Sequence, residues 1–301
     1  MNFHRYFFPL TARRSRPALS VPAASGAVFL AQGLRVPKMR ARVAVDREAE
    51  IAVASLRAVG VEPRRIHLCT SAAEARVAYE AGDFIAAADL ATVIDLPFEV
   101  VVEATGHPEA GARHARLAIE ADRHLAIVSK EVDSVIGPGL ARLAAARGRV
   151  VTPVDGDQPS LLVGLITWAE TLGLEIVAAG KASEYDFVFD AASGLVTSNG
   201  RTISAPAFAA AWSLGDRPVA ELVAARAAAA SVLPQRAVPD LCELLVVANA
   251  TGFSPDRPDL HAPHRPHPRS ADHAGRARGR RAAVRHPAAR RVPLPARPPT
   301  R

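Results

Sequence analysis

Apolar runs and amphipathic runs alternate along most of this chain. Arg40 to Asp46 (RARVAVD), Phe98 to Glu103 (FEVVVE), His124 to Val128 and Arg149 to Val154 are short and rich in β-branched residues. Each reads as a strand. Between them lie Ala-rich stretches of helical period: Arg47 to Val59 before Gly60, Pro108 to Ala121 after His107, Pro138 to Ala146 before Gly148, and one starting near Pro159. Pro just inside a start and Gly just past an end are helix boundary signals. Strands separated by helices imply a parallel sheet with crossover helices.

The pattern changes near Gly180. Tyr185 to Ser204 reads YDFVFDAASGLVTSNGRTIS, with alternating apolar residues around Ser193-Gly194 and Asn199-Gly200. Asn-Gly is a two-residue hairpin signal, because both turn positions need positive φ. An antiparallel lobe is therefore expected from about Gly180. It continues in a helix after Asp216 and Pro218, to about Val232, and a last helix from Pro239 to about Asn249. The expected fold is α/β: a Rossmann-like, doubly wound parallel sheet with an incomplete first βα unit, a smaller α+β substrate lobe, and a disordered basic tail. The expected boundaries are an irregular segment 1–21, a dinucleotide-binding domain 22–179, a substrate lobe 180–263 and a tail 264–301. The two end segments are compositionally like out-of-frame translation of a GC-rich gene.

Charge sharpens that division. The chain carries a formal +7, but His264 to Arg301 holds eleven arginines and one acid, and Met1 to Ser20 four arginines and no acid. The body between them is therefore acidic, which argues against a nucleic-acid-binding domain. No run of about 18 uninterrupted apolar residues suggests a membrane span. The two cysteines, Cys69 and Cys242, sit in apolar surroundings. That usage fits a reducing, cytoplasmic setting better than a disulfide framework.

Only three of the 37 basic residues are lysines: Lys38, Lys130 and Lys181. In so arginine-biased a chain, a lysine marks a place where a compact ammonium or a proton-transferring amine is wanted. Lys38 reads as an ordinary loop charge. Lys130 follows HLAIVS and Lys181 follows EIVAAG, so both are expected at carboxyl ends of strands, where open α/β sheets place ligands. Asp155 and Asp157 flank Gly156 after the strand RVVTPV. A helix cap accounts for one of them, Asp157, and leaves Asp155 as the acid for catalysis. Glu184 and Asp186 follow Lys181 and could tune or relay its protons.

A dinucleotide signal is partly present. Asp46 ends a strand roughly 20 residues after Gly26, the spacing of an acid that accepts from ribose hydroxyls. It reads equally as a solvated helix cap. Arg47 beside it would suit a 2′-phosphate, so NAD and NADP both stay open. In register, the positions that need glycine hold Val21, Ala23 and Gly26. Ala18 to Val21 is short and flanked by Pro17 and Pro22, so no first strand is expected there.

These residues carry a family resemblance. VVVEATGHPEAGARHARLAIEADRHLAIVSKE, from Val100 to Glu131, resembles the second half of the dinucleotide domain of homoserine dehydrogenases. VTPVDGDQPSLLVGLITWAETLGLEIVAAGKASEYDF and LPQRAVPDLCELLVVANATGF resemble the "predicted homoserine dehydrogenase" branch. That branch includes 1-deoxyxylulose 5-phosphate reductoisomerase-like enzymes and often carries a C-terminal SAF-like domain. The resemblance implies an NAD(P)-dependent oxidoreductase acting on a small polar substrate, phosphorylated in some members. It implies a homodimer, while the charge and hydropathy patterns above leave neither nucleic acid nor membrane as the expected partner. It implies Ala104, Thr105 and Gly106 near the nicotinamide half, and Lys130 beside the substrate. Asp155, Asp157 with Gln158, and Lys181 with Glu184 are implied to line the cleft. A reductoisomerase step would add a divalent metal at Asp155, Asp157 or Glu184. The missing loop glycines leave a second expectation open, a truncated or degenerate paralogue that binds no dinucleotide.

Overall fold

The computed structural model describes residues 17–20, 24–36, 39–181, 187–213, 215–235 and 238–255. The tail from His264 and most of the first segment, with Lys38, Glu184 and Asp186, lie outside the described residues. The chain divides into two compact units, Met1–Leu161 and Leu162–Arg301.

The first unit holds a seven-stranded sheet. Its strands are β1 (Pro17–Ser20), β2 (Val43–Val45), β3 (Ile66–Leu68), β4 (Phe84–Ala87), β5 (Val100–Glu103), β6 (His124–Ile127) and β7 (Val151–Pro153), in the order β3-β4-β2-β1-β5-β6-β7. Every pairing is parallel. The crossovers are α1 (Ala24–Arg35), α2 (Ala49–Ala58), α3 (Ala72–Glu80), α4 (Pro108–Glu120) and α5 (Lys130–Ala146). The chain winds one way from β1 through β2 to β4, then returns past β1 to β5 and winds the other way. The order thus reverses between β1 and β5, as in a doubly wound sheet.

The first βα unit differs from the sequence expectation. A four-residue strand, Pro17–Ser20, occupies the centre of the sheet, with Leu19 in register with Ala44 on one side and Val102 on the other. Proline lacks an N–H, so as the first residue of a strand it forfeits little of the ladder. Pairing on both sides decides the matter, because a parallel strand here is held by two neighbours rather than by its own propensity. Val21, Pro22 and Ala23, where the phosphate loop would run, lie outside the described residues.

Both faces of the sheet are covered. Val43, Val45, Ile85, Val101, Leu125 and Ile127 form one core with Ala78 of α3, Ile119 of α4 and Leu140 of α5. Ala44, Ala86 and Val102 form the other with Leu30 of α1 and Leu56 of α2. Alternate residues of one strand thus enter different cores, which is why these strands read as continuous apolar runs. Each fully buried Leu or Ile contributes about 1.5–3 kcal/mol. The expected α5 starts earlier than its proline: it runs from Lys130, with Pro138 inside.

The second unit contains α6 (Gln158–Thr171) for most of its length, an antiparallel sheet of β8 (Val188–Asp190), β9 (Leu195–Ser198) and β10 (Arg201–Ser204), and helices α7 (Pro206–Ala210), α8 (Val219–Ala229) and α9 (Val238–Thr251). The expected Asn-Gly turn joins β9 to β10, with φ of 48° at Asn199 and 72° at Gly200. Val196, Phe208, Ala230 and Leu233 form its core. The Phe189 ring lies 5.3 Å from Phe208 and 5.1 Å from Trp212.

Candidate functional site

Parallel strands end together, so one edge of the sheet collects the residues that follow them. After β2 comes Asp46, 7% exposed. Its Oδ1 accepts from the Glu48 amide at 3.2 Å, just before α2. Burial raises its carboxyl above the ordinary value, and the Glu48 amide works against that rise. Arg47 beside it is almost fully exposed and, among the described residues, reaches Glu48 at 3.4 Å.

After β5 the chain turns through Ala104, Thr105 and Gly106. Gly106 has φ +63°, and among the described residues none beyond its own chain neighbours comes within 4 Å of where a Cβ would stand. His107 caps α4: its Nδ1 accepts from the Ala110 amide at 3.4 Å, with Pro108 at the first helical position. The acid at the end of β5, Glu103, is fully buried. Its Oε1 accepts from the Thr105 amide at 2.7 Å, the Thr105 hydroxyl at 2.6 Å and the Ser129 hydroxyl at 3.0 Å. Ser129 Oγ in turn accepts from the Gly106 amide at 2.8 Å. The turns after β5 and β6 are thereby tied to one carboxylate.

Ser129 leads directly into Lys130, the first residue of α5. The Lys130 Nζ lies 2.9 Å from Asp157 Oδ2. Asp157 follows β7, and its Oδ1 accepts from the Gln158 amide at 2.8 Å at the start of α6. Asp157 therefore performs both tasks that the sequence had divided, holding the turn and meeting a lysine. Asp155 is exposed, and its Oδ1 accepts from the Gly156 amide at 2.8 Å. Gln158 is exposed.

Lys181 sits in the second unit, between Asp240 Oδ1 at 2.5 Å and Glu243 Oε2, all three side chains less than a tenth exposed. Burial opposes its charge, but hydrogen bonds and attraction from Asp240 and Glu243 outweigh that and raise its pKa. Its described acids come from α9, 59 residues on for Asp240, while Glu184 and Asp186 lie outside the described residues.

Four of these residues went unmarked in the sequence: Glu103, Ser129, Asp240 and Glu243. Glu103 had a signal, an acid closing an otherwise apolar strand. Asp240 and Glu243 had one too, two acids three apart in the apolar helix VPDLCELLVV. Among the described residues no group of three or more His, Cys, Asp or Glu could hold a metal ion. None of the described helices is long and apolar enough to cross a membrane.

No family model and no curated protein matches the chain. Several solved structures match part of the chain. GenD2 from gentamicin A biosynthesis, in complex with NAD, is 18% identical over 53% of this chain and 40% of its own, with a TM-score of 0.37. S. aureus homoserine dehydrogenase is 14% identical over 47% of this chain and 33% of its own, with a TM-score of 0.32. DOX-P reductoisomerase with magnesium is 18% identical over 48% of this chain and 38% of its own, with a TM-score of 0.35. The chain thus spans two fifths or less of each of these proteins, and at these identities the likeness concerns the fold alone.

Proposed function

We propose that the protein is an NAD(P)-dependent oxidoreductase acting on the carbonyl or alcohol of a small polar substrate, with phosphorylated compounds in the candidate class. The carrying observation is the Lys130–Asp157 ion pair at the ends of β6 and β7, on the same edge of the sheet as the point between β1 and β5 where strand order reverses. Open α/β sheets bind ligands in the crevice at that point.

The residues present suit a dinucleotide. Asp46 offers a half-committed carboxylate at the end of β2 for ribose hydroxyls. Arg47 is free to swing toward a 2′-phosphate from its exposed position. Gly106 leaves open space where any other residue would put a Cβ. A bound nicotinamide would supply the two-electron chemistry that no side chain here can. Lys130 would donate a hydrogen bond to the substrate oxygen and pass it a proton on reduction. Asp157 would hold that ammonium in place and charged. Lys181, locked between two acids, is assigned to holding the second unit together. Asp155 remains a candidate for the substrate cleft. The compartment proposed is the cytoplasm, and a homodimer the proposed assembly.

A second reading has its own support. Val21 and Ala23 stand where the fingerprint needs glycine, so a degenerate paralogue that binds no dinucleotide is the rival. Titration calorimetry with NADH and NADPH separates the two. Micromolar affinity is expected, followed by substrate-dependent loss of reduced-nicotinamide absorbance. Absence of heat with either cofactor would establish the rival instead.

A further inference from the structure

Glu103 is 0% exposed, yet its hydrogen bonds are lopsided. All three donors, the Thr105 amide and hydroxyl and the Ser129 hydroxyl, converge on Oε1. Among the described residues Oε2 has no hydrogen-bond partner. Gly111 of α4 closes over the group so tightly that a Cβ there would stand 2.8 Å from Oε1. A buried carboxylate oxygen without a partner is a cost to stability. The staple itself does not need the charge, since a glutamine carbonyl could accept the same three donors. What glutamic acid adds over glutamine is one negative charge beneath the Thr105–Gly106 turn.

That turn lies at the reversal of strand order, on the β5–β6 side. With Asp46 marking the ribose of the adenosine half on the β2 side, the β5–β6 side is left to the nicotinamide half. The oxidised ring is cationic and the reduced ring neutral. A fixed charge near a cofactor ring tunes its redox balance, and more strongly where water is excluded. Two described neighbours of this turn leave the Glu103 charge standing. Lys130 is matched by Asp157, and the buried His114 is held toward its neutral form by burial and by Arg113.

We propose that Glu103 biases the site toward the oxidised cofactor, and so lowers the reduction potential of the bound couple and favours carbonyl reduction. This rests on the NAD(P) reading above. The test is binding of oxidised and reduced cofactor, each titrated by calorimetry into wild type, Glu103→Gln, Glu103→Asp and Ser129→Ala, with circular dichroism to check folding. Glu103→Gln is expected to weaken the oxidised form at least threefold more than the reduced form, and Glu103→Asp to keep the wild-type ratio. Ser129→Ala removes one donor and leaves more of the charge uncompensated, so the preference for the oxidised form should rise about twofold. It decides the matter if Glu103→Gln does not fold. Equal changes for both forms in Glu103→Gln, or an unchanged ratio in Ser129→Ala, overturn the inference while the cofactor reading survives. A wild type that binds neither form removes both.

Discussion

The Lys130 ammonium and the Asp157 carboxylate, 27 residues apart in sequence, meet at 2.9 Å because β6 and β7 are adjacent parallel strands that end side by side. The side chains are 24% and 39% exposed, so solvent screens the pair and it contributes under about 1 kcal/mol to stability. Lys130→Met and Asp157→Asn should therefore melt close to wild type. If Lys130 moves a proton, Lys130→Met should lower kcat by roughly 10²–10⁴. A variant that loses stability but keeps its rate would assign the pair to the fold instead.

The buried cluster in the second unit should behave in the opposite way. Lys181→Met leaves Asp240 and Glu243 buried without their cation. Breaking a buried pair costs about 3–5 kcal/mol. Urea denaturation should show that loss. Replacing all three by apolar residues should recover most of it, since no buried charge then remains unpaired.

Glycine replacements should separate close approach from mere helix entropy. A Cβ on Gly111 would meet Val132 Cγ2 at 2.5 Å and Glu103 Oε1 at 2.8 Å, whereas one on Gly139 meets nothing within 4 Å. Gly139→Ala should stabilise the protein by up to about 1 kcal/mol through helix propensity. Gly111→Ala should destabilise it by about 1–3 kcal/mol through overpacking. Melting curves of the two variants check both signs.

Acid should weaken the fold through His114. Its imidazole, 8% exposed, is held below the ordinary 6.5 by burial and by Arg113, against the pull of Asp89 and Glu103. The unfolded chain takes up this proton as pH falls through 6.5, while the folded chain resists until its lower pKa. Stability is therefore lost as pH drops below 6.5, and more unfolded than folded protons are bound throughout that window. Denaturant midpoints from pH 8 to pH 5 should fall less in His114→Leu than in wild type.

Cofactor choice should divide between Asp46 and Arg47. A lost hydrogen bond to a charged group weakens binding by about tenfold. Asp46→Ala should cost that much for both NADH and NADPH. Arg47→Ala should affect NADPH alone, and equal losses would deny it a 2′-phosphate role.

Much of this architecture is readable from neighbouring residues. The strands VAV, VVVE and HLAI, the Asn199-Gly200 turn and the His107-Pro108 helix start depend on local periodicity and local dihedral preference, so the sequence by itself determines them. The first strand was not readable, because Pro17–Ser20 is stabilised from both sides by β2 and β5 rather than by its own composition. Nor were the pairings of the charges. Asp155 and Asp157 look alike in the chain, and only the adjacency of β6 and β7 gives Lys130 to the second. Only tertiary folding brings α9 to Lys181, or Ser129 to Glu103. Local sequence sets which element each residue enters. The order of the strands, fixed by burial of both sheet faces, sets which side chains then meet.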